Sequence, residues 1–244
     1  MKIKFAYISK KGIKTNVNQD SFAVPLPEHY TQKKGFLFVV CDGVGGYVGG
    51  EIASKMCCEM MVNDYYNSDD IEHIPNWLED EIKKINNEII TKGIQNGTPG
   101  MSTTMVSLLI KDKTAYINNV GDSRVYLFSN NNLKQITEDH SVVWEYYEKG
   151  LITKDEIIKS SIKHLITEGL GLSPRPKINS YQIKLPDKFL FLLCTDGLTD
   201  VTIDKEIEKI IKDTEDLKTC IELLYQLSQD NYSLDDVTMV MVKN

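Results

Sequence analysis

The chain is short of several things that would have simplified its reading. No uninterrupted apolar run approaches the roughly 18 residues that cross a bilayer, and the opening MKIKFAYISKKGIK has no apolar stretch long enough for a signal peptide. Those two absences point to a cytoplasmic protein without a membrane partner. Five cysteines (Cys41, Cys57, Cys58, Cys194, Cys220) are odd in number and lack C-x-x-C spacing, which excludes a disulfide framework and a zinc knuckle and leaves buried thiols. Positive charge is in deficit, with 28 Lys and Arg against 35 Asp and Glu and a formal net charge of −7. That balance argues against a nonspecific nucleic-acid surface. Repeats, low-complexity tracts and Pro/Gly/Ser linkers are missing as well, so nothing divides the 244 residues, and one domain over 1–244 is expected.

What remains is an ordinary globular composition, 41% apolar and 26% charged. Strand patterns come in close succession: KIKFAYI, SFAVPL, FLFVVC at 36–41, MSTTMVSLLIK, TAYINNVG, SRVYLFS and NLKQIT, then KFLFLLCTD and DVTMVMVK near the end. Asn130 to Asn132 mark a hairpin turn. Helices follow from spacing. Leu78, Ile82, Ile85 and Ile89 form one apolar stripe over 76–95, Ile52, Met56 and Met60 recur every fourth residue after a glycine-rich run, and Leu217, Ile221, Leu224 and Leu227 do so near the C-terminus. Thr153 and Glu156 form a capping box for a short helix between Gly150 and Ser160. The pattern predicts an α+β fold of antiparallel sheets covered by two helix pairs.

Two core strands end in Asp-Gly, at Asp42-Gly43 and Asp196-Gly197. Asp-Gly is a hairpin signal, yet neither pair is followed promptly by a second strand. The first runs through four more glycines, in GVGGYVGG, into a helix. Those glycines fit neither a dinucleotide fingerprint, since the third position from Gly45 is Val48, nor a P-loop, since G-K-[ST] is absent. Asp20, Asp122, Asp235 and Asp236 also stand beside strands, and a fold that gathers these ends gathers four to six carboxylates. Like charges so placed need compensation. With oxygen donors and no His or Cys at ligand spacing, the pattern suits Mg²⁺ or Mn²⁺, and a glycine after Asp42 leaves its backbone free to approach an ion.

Eight segments in order (NQDSFAV, VVCDGVGGYVGGEIAS, GMSTTMVSLLI, AYINNVGDSRVYLF, ITEDHSVVWEYYEKGLIT, ITEGLGLSP, FLLCTDGLTD and SLDDVTMVMV) together resemble the metal-dependent type 2C (PPM-type) Ser/Thr protein phosphatases in their compact bacterial form. The resemblance implies a central antiparallel β-sandwich of two sheets flanked by helix pairs, α-β-β-α, with a flap at about 137–180. It implies hydrolysis of phosphoserine and phosphothreonine on proteins at a binuclear Mn²⁺ or Mg²⁺ centre, by direct attack of a bridging hydroxide and without a phosphoenzyme. Carried over by position, Asp42 bridges the two metals, the Gly43 carbonyl and a water held by Asp20 serve one, and Asp196 with Asp235 serve the other. Asp122, Asp196 and Asp200 match a third, weaker site. Phosphorylated proteins are the implied substrates, and a cognate Ser/Thr kinase is implied by analogy.

The chain departs from the family at several places. Gln19 replaces the usual Glu, Asp236 the usual Asn, and Glu168 an Arg, while Val44 and Tyr47 stand where relatives carry His. The phosphate-binding Arg falls on Thr15, with Lys14 one residue early, and in a regular strand a one-residue shift turns a side chain to the opposite face. An alternative reading is therefore a catalytically weak relative that binds phosphoproteins or senses metal. Among the single residues, His140 and the two Trp (Trp77, Trp144) read as structural, and His29, His73 and His164 as surface or packing residues.

Overall fold

The computed structural model describes residues 2–14, 16–25, 31, 33–44 and 49–244. Thr15, His29 and Tyr47, singled out above, lie outside the described residues. Two five-stranded antiparallel sheets stack face to face. One has the order β1 (Lys4–Lys10), β10 (Val237–Lys243), β9 (Leu190–Cys194), β6 (Arg124–Ser129), β7 (Asn132–Gln135). The other runs β2 (Asp20–Ala23), β3 (Phe36–Asp42), β4 (Met105–Lys111), β5 (Thr114–Val120), β8 (Asn179–Lys184).

Residue parity explains why the central strands are apolar without interruption. Along β3, Phe38 and Val40 point into the gap between the sheets, while Leu37, Val39 and Cys41 point outward to a helix layer. In β9, Phe191 and Leu193 face the gap and Leu190, Leu192 and Cys194 the opposite helix layer. A strand covered on both faces gains from apolar side chains at every position, so alternation disappears.

The helix layers are α1 (Gly50–Asn67) with α2 (Ile74–Asn96) on one side, and α6 (Asp204–Asp213) with α7 (Leu217–Asp230) on the other. Leu78, Ile82, Ile85 and Ile89 of α2 are all buried, as their spacing predicts. Pro75 lies in the first turn of α2, where its missing N–H is harmless, and Gly97 closes the helix with φ +72°. For α1 the expected stripe is off by one position. Ile52, Met56 and Met60 are only partly buried, and the face against the sheet is Ala53, Cys57, Met61, Tyr65 and their neighbours. Leu227 of α7 is likewise half-buried, whereas Leu217, Ile221 and Leu224 are buried.

Between β7 and β8 the chain forms α3 (Val142–Glu148), the capped turn α4 (Lys154–Ile157), and a small apolar cluster of Val143, Trp144 and Ile157. β8 begins at Asn179, at the far end of the segment expected as a flap at about 137–180. Tyr181 and Ile183 alternate with polar residues there and were a usable signal. Asn130 and Asn131, with φ of 50° and 65°, form the two-residue turn between β6 and β7. All five cysteines are buried free thiols. No helix among the described residues is long and apolar enough to cross a membrane.

Phe38 is fully buried in the inter-sheet gap and meets the Phe5 ring edge-on at 5.5 Å. Phe38→Ala is expected to lower unfolding free energy by about 3–5 kcal/mol, measured by urea titration.

Candidate active site

The inter-sheet core ends in carboxylates. Asp42 continues the parity of Phe38 and Val40, so the residue after the last apolar side chain of β3 points into the same gap. Asp20 lies opposite Asp42 in the β2–β3 register. From the other sheet, β9 ends at Cys194, and Asp196 opens the short helix α5 (Asp196–Thr199), with Asp200 capping it. Asp235 immediately precedes β10, and Asp122 sits in the turn between β5 and β6. Asp42, Asp122, Asp196 and Asp235 line one cavity of about 380 Å³, together with Gly43 and Lys14. Asp20 is buried behind it, its Oδ2 accepting from Thr195 Oγ1 at 2.9 Å.

The glycines serve close approach. A Cβ on Gly43 would lie 2.4 Å from the Gly50 carbonyl carbon, and one on Gly197 would lie 2.0 Å from the Asp236 carbonyl oxygen. Both Asp-Gly pairs are thus places where a strand end is pressed onto neighbouring backbone, and the hairpin reading is excluded for each. Gly49, with φ +99°, starts α1 in a left-handed conformation. The Asp42 backbone is locked in turn: its N–H donates to Thr104 Oγ1 at 3.0 Å, and its carbonyl accepts from Thr104 N and Thr103 Oγ1, each at 2.8 Å.

Burial, and then mutual repulsion, push these carboxyls upward. Asp42 and Asp196 are raised well above the ordinary carboxylate range, Asp20 to about 7 and Asp122 to about 8. For Asp200 burial raises the value against the pull of Lys163, whose Nζ stands 3.7 Å from its Oδ2. Asp20 Oδ1 and Asp196 Oδ1 are buried without a hydrogen-bond partner. Unpartnered oxygens on crowded acidic side chains fit a hard divalent cation by donor chemistry. Among the described residues, no three such side chains already meet closely enough to hold an ion unaided. They line the cavity and leave its centre open.

Two residues have roles that spacing alone does not show. The Asp236 carboxylate, 4% exposed, accepts from the backbone N–H of Gly12 through Oδ1 and of Gln19 through Oδ2, both at 2.7 Å. It ties the β1–β2 connection to the start of β10 and holds Lys14 and Asp20 beside Asp235. Lys14 lies past the end of β1, so strand parity does not govern it; it lines the cavity, with Nζ 2.5 Å from Asp235 Oδ2. Burial lowers the Lys14 pKa, but Asp235, with Asp196 and Asp200 farther off, leaves it raised overall.

His164, expected at the surface or in packing, is exposed and lines the same cavity. His140 is structural: buried, its Nδ1 accepts from Gly121 N at 3.1 Å, and burial lowers its pKa to about 4. Behind Asp122, the Arg124 guanidinium donates to both oxygens of Asp139, at 2.6 to 3.0 Å, fully within the fold. Glu168 accepts from Lys177 N at 3.2 Å, an intrasegment loop contact.

The fold is thus a two-sheet sandwich between helix pairs, with carboxylates from both sheets gathered at one end of the gap. The family model described as protein phosphatase 2C matches residues 11–235, and the chain belongs to that family. Among solved structures, a bacterial serine phosphatase is 31% identical and superposes with a TM-score of 0.91, covering 99% of this chain and 98% of that one. Serine/threonine phosphatase Stp1 from Staphylococcus aureus is 30% identical at a TM-score of 0.89, over 100% and 96%. Serine/threonine phosphatase stp of Listeria welshimeri is 29% identical over 88% of this chain and 90% of its own length.

The geometry sets two measurable expectations. Asp236→Ala removes the shared acceptor of two backbone N–H groups and is expected to lower stability by about 1–3 kcal/mol in urea unfolding. For Asp122 the pKa lies at about 8 in the fold and at about 4 in the unfolded chain. Between those values the folded form holds the proton more tightly, so the group's contribution to stability falls as pH rises from about 4 to about 8. Melting temperatures of the parent, compared with Asp122→Asn in chelator, should therefore drop relative to the variant across that interval.

Proposed function

We propose that this protein hydrolyses phosphoserine and phosphothreonine on proteins with the help of two divalent cations, Mn²⁺ or Mg²⁺. The observation that carries the reading is the convergence of Asp42, Asp122, Asp196 and Asp235, distant in sequence and drawn from both sheets, on one cavity. Asp42 would reach both cations, the Gly43 carbonyl and buried Asp20 would support one, and Asp196 with Asp235 the other. Asp122, Asp196 and Asp200 would take a third, weaker ion. When bound, such cations acidify coordinated water and offset the charge of the phosphoryl oxygens.

The chain's own residues supply the remainder. Asp20, fixed by Thr195 Oγ1, is placed to orient water at the buried end of the cavity. Lys14 offers the phosphate a point charge, where an arginine would give a two-pronged grip. Thr104 and Thr103 hold the Asp42 backbone still, so its carboxylate need not reorganise as charge moves to the phosphorus oxygens. Relatives named as phosphatases lend no support to a purely phosphoprotein-binding role. The cytoplasm is the compartment that suits this reading, and a Ser/Thr kinase would supply the substrates.

Asp42→Asn should lower Mn²⁺-dependent turnover of p-nitrophenyl phosphate and of a phosphothreonine peptide by at least about 100-fold. Chelator should abolish the parent's activity, and Mn²⁺ should raise the parent's melting temperature more than that of Asp42→Asn. Activity indifferent to chelator would refute the proposal.

A further inference from the structure

We infer that His164 is the proton donor to the leaving oxygen, an inference that rests on the phosphatase reading above. A seryl or threonyl oxygen is a poor leaving group unless it is protonated as the P–O bond breaks. The cavity wall offers few candidates. Four of the lining carboxyls are the cation-binding oxygens of that reading, the fifth, Asp236, has both oxygens accepting from the backbone N–H groups of Gly12 and Gln19, Lys14 is paired with Asp235 at 2.5 Å, and Val44 and Ile166 are apolar. Gln19 has only an amide, and Thr104 Oγ1 is engaged with the Asp42 N–H and with Ser123 Oγ at 2.7 Å. Among the described residues, His164 is the one remaining lining side chain with a proton to give, and imidazole is the side chain suited to general-acid work near neutral pH.

Its backbone is held over the cavity from both sides. The preceding residue, Lys163, donates from Nζ to the Asp200 carbonyl at 2.6 Å. On the other side, Leu165 accepts at its carbonyl from Val142 N at 3.0 Å, Ile166 bridges to Ser141, and Thr167 N donates to the His140 carbonyl at 2.8 Å. His164 is an exposed residue of the cavity wall, and the peptide side of a phosphoester must lie on the exposed side of the cavity if its phosphate points to the carboxylates. In the step, a hydroxide derived from water bonds to phosphorus and the P–O bond to the seryl oxygen breaks, leaving its electron pair on that oxygen. The imidazolium N–H proton moves onto it, giving serine and inorganic phosphate, and neutral imidazole regains a proton from solvent.

The test uses the dependence on leaving group, with full-length protein and saturating Mn²⁺. For a phosphoserine peptide, His164→Gln should lower kcat by about 100-fold, whereas p-nitrophenyl phosphate, whose phenolate leaves without a proton, should be affected by less than about threefold. Added imidazole should restore part of the peptide turnover of His164→Gly. The melting temperature of His164→Gln, and its rise with Mn²⁺, should match the parent. An equal fall on both compounds, a change confined to KM for the peptide, no change at all, or a lost Mn²⁺ shift would each overturn the assignment. A parent that turns over neither compound would instead defeat the phosphatase reading, and the role of His164 with it.

Discussion

Asp20 and Asp42 sit across from each other at the point where an apolar gap between two sheets runs out, and Asp122, Asp196 and Asp235 approach the same end. Repulsion among buried like charges is the constraint on which the rest of the architecture depends. It is tolerated because the carboxyls are carried on strand ends that cannot drift apart: Phe38, Val40, Phe191, Leu193, Val240 and Val242 lock the two sheets together directly beneath them. The apolar contacts hold the acidic groups at a spacing they would not choose. Burial first, and that repulsion second, raise the pKa values of Asp20, Asp42, Asp122 and Asp196.

Around that constraint the polar groups divide into those left open and those committed. Asp236 has both oxygens committed to backbone N–H groups, and Asp139 has both on Arg124, so neither is open to a ligand. Asp20 and Asp196 each keep a buried oxygen without a partner. Two adjacent residues, Asp235 and Asp236, therefore do different work. Both line the cavity, but Asp235 is paired with Lys14 there, whereas Asp236 fastens the loop that brings Lys14 to it.

Much of this was legible in the sequence, for reasons that can be stated. Strands ending in Asp-Gly without a partner strand to follow exposed Asp42 and Asp196, and the spacing of Leu78, Ile82, Ile85 and Ile89 placed α2. The α1 stripe was misplaced because spacing of four picks out one line of a helix surface, whereas burial depends on how closely that surface meets the sheet. The clamp made by Asp236 was hidden because its partners, Gly12 and Gln19, are backbone groups more than 200 positions away, and backbone donors leave no mark in composition. The place of His164 in the cavity wall is hidden for a similar reason. Nothing nearby in the chain tells that residues 162–167 fold back over the carboxylates, since that path is set by contacts to Asp200 and to residues 140–142.

The pairing of Lys14 with Asp235 gives the cavity a counter-ion that is part of the polypeptide. Under the proposed function, a cation taking the Asp235 oxygen that faces Lys14 would compete with the ammonium, so the net charge added there would be smaller than the ion's own. The displaced amine stays on its tether at the rim. Loading of the cavity and presentation of a free positive group beside it would in this way be coupled.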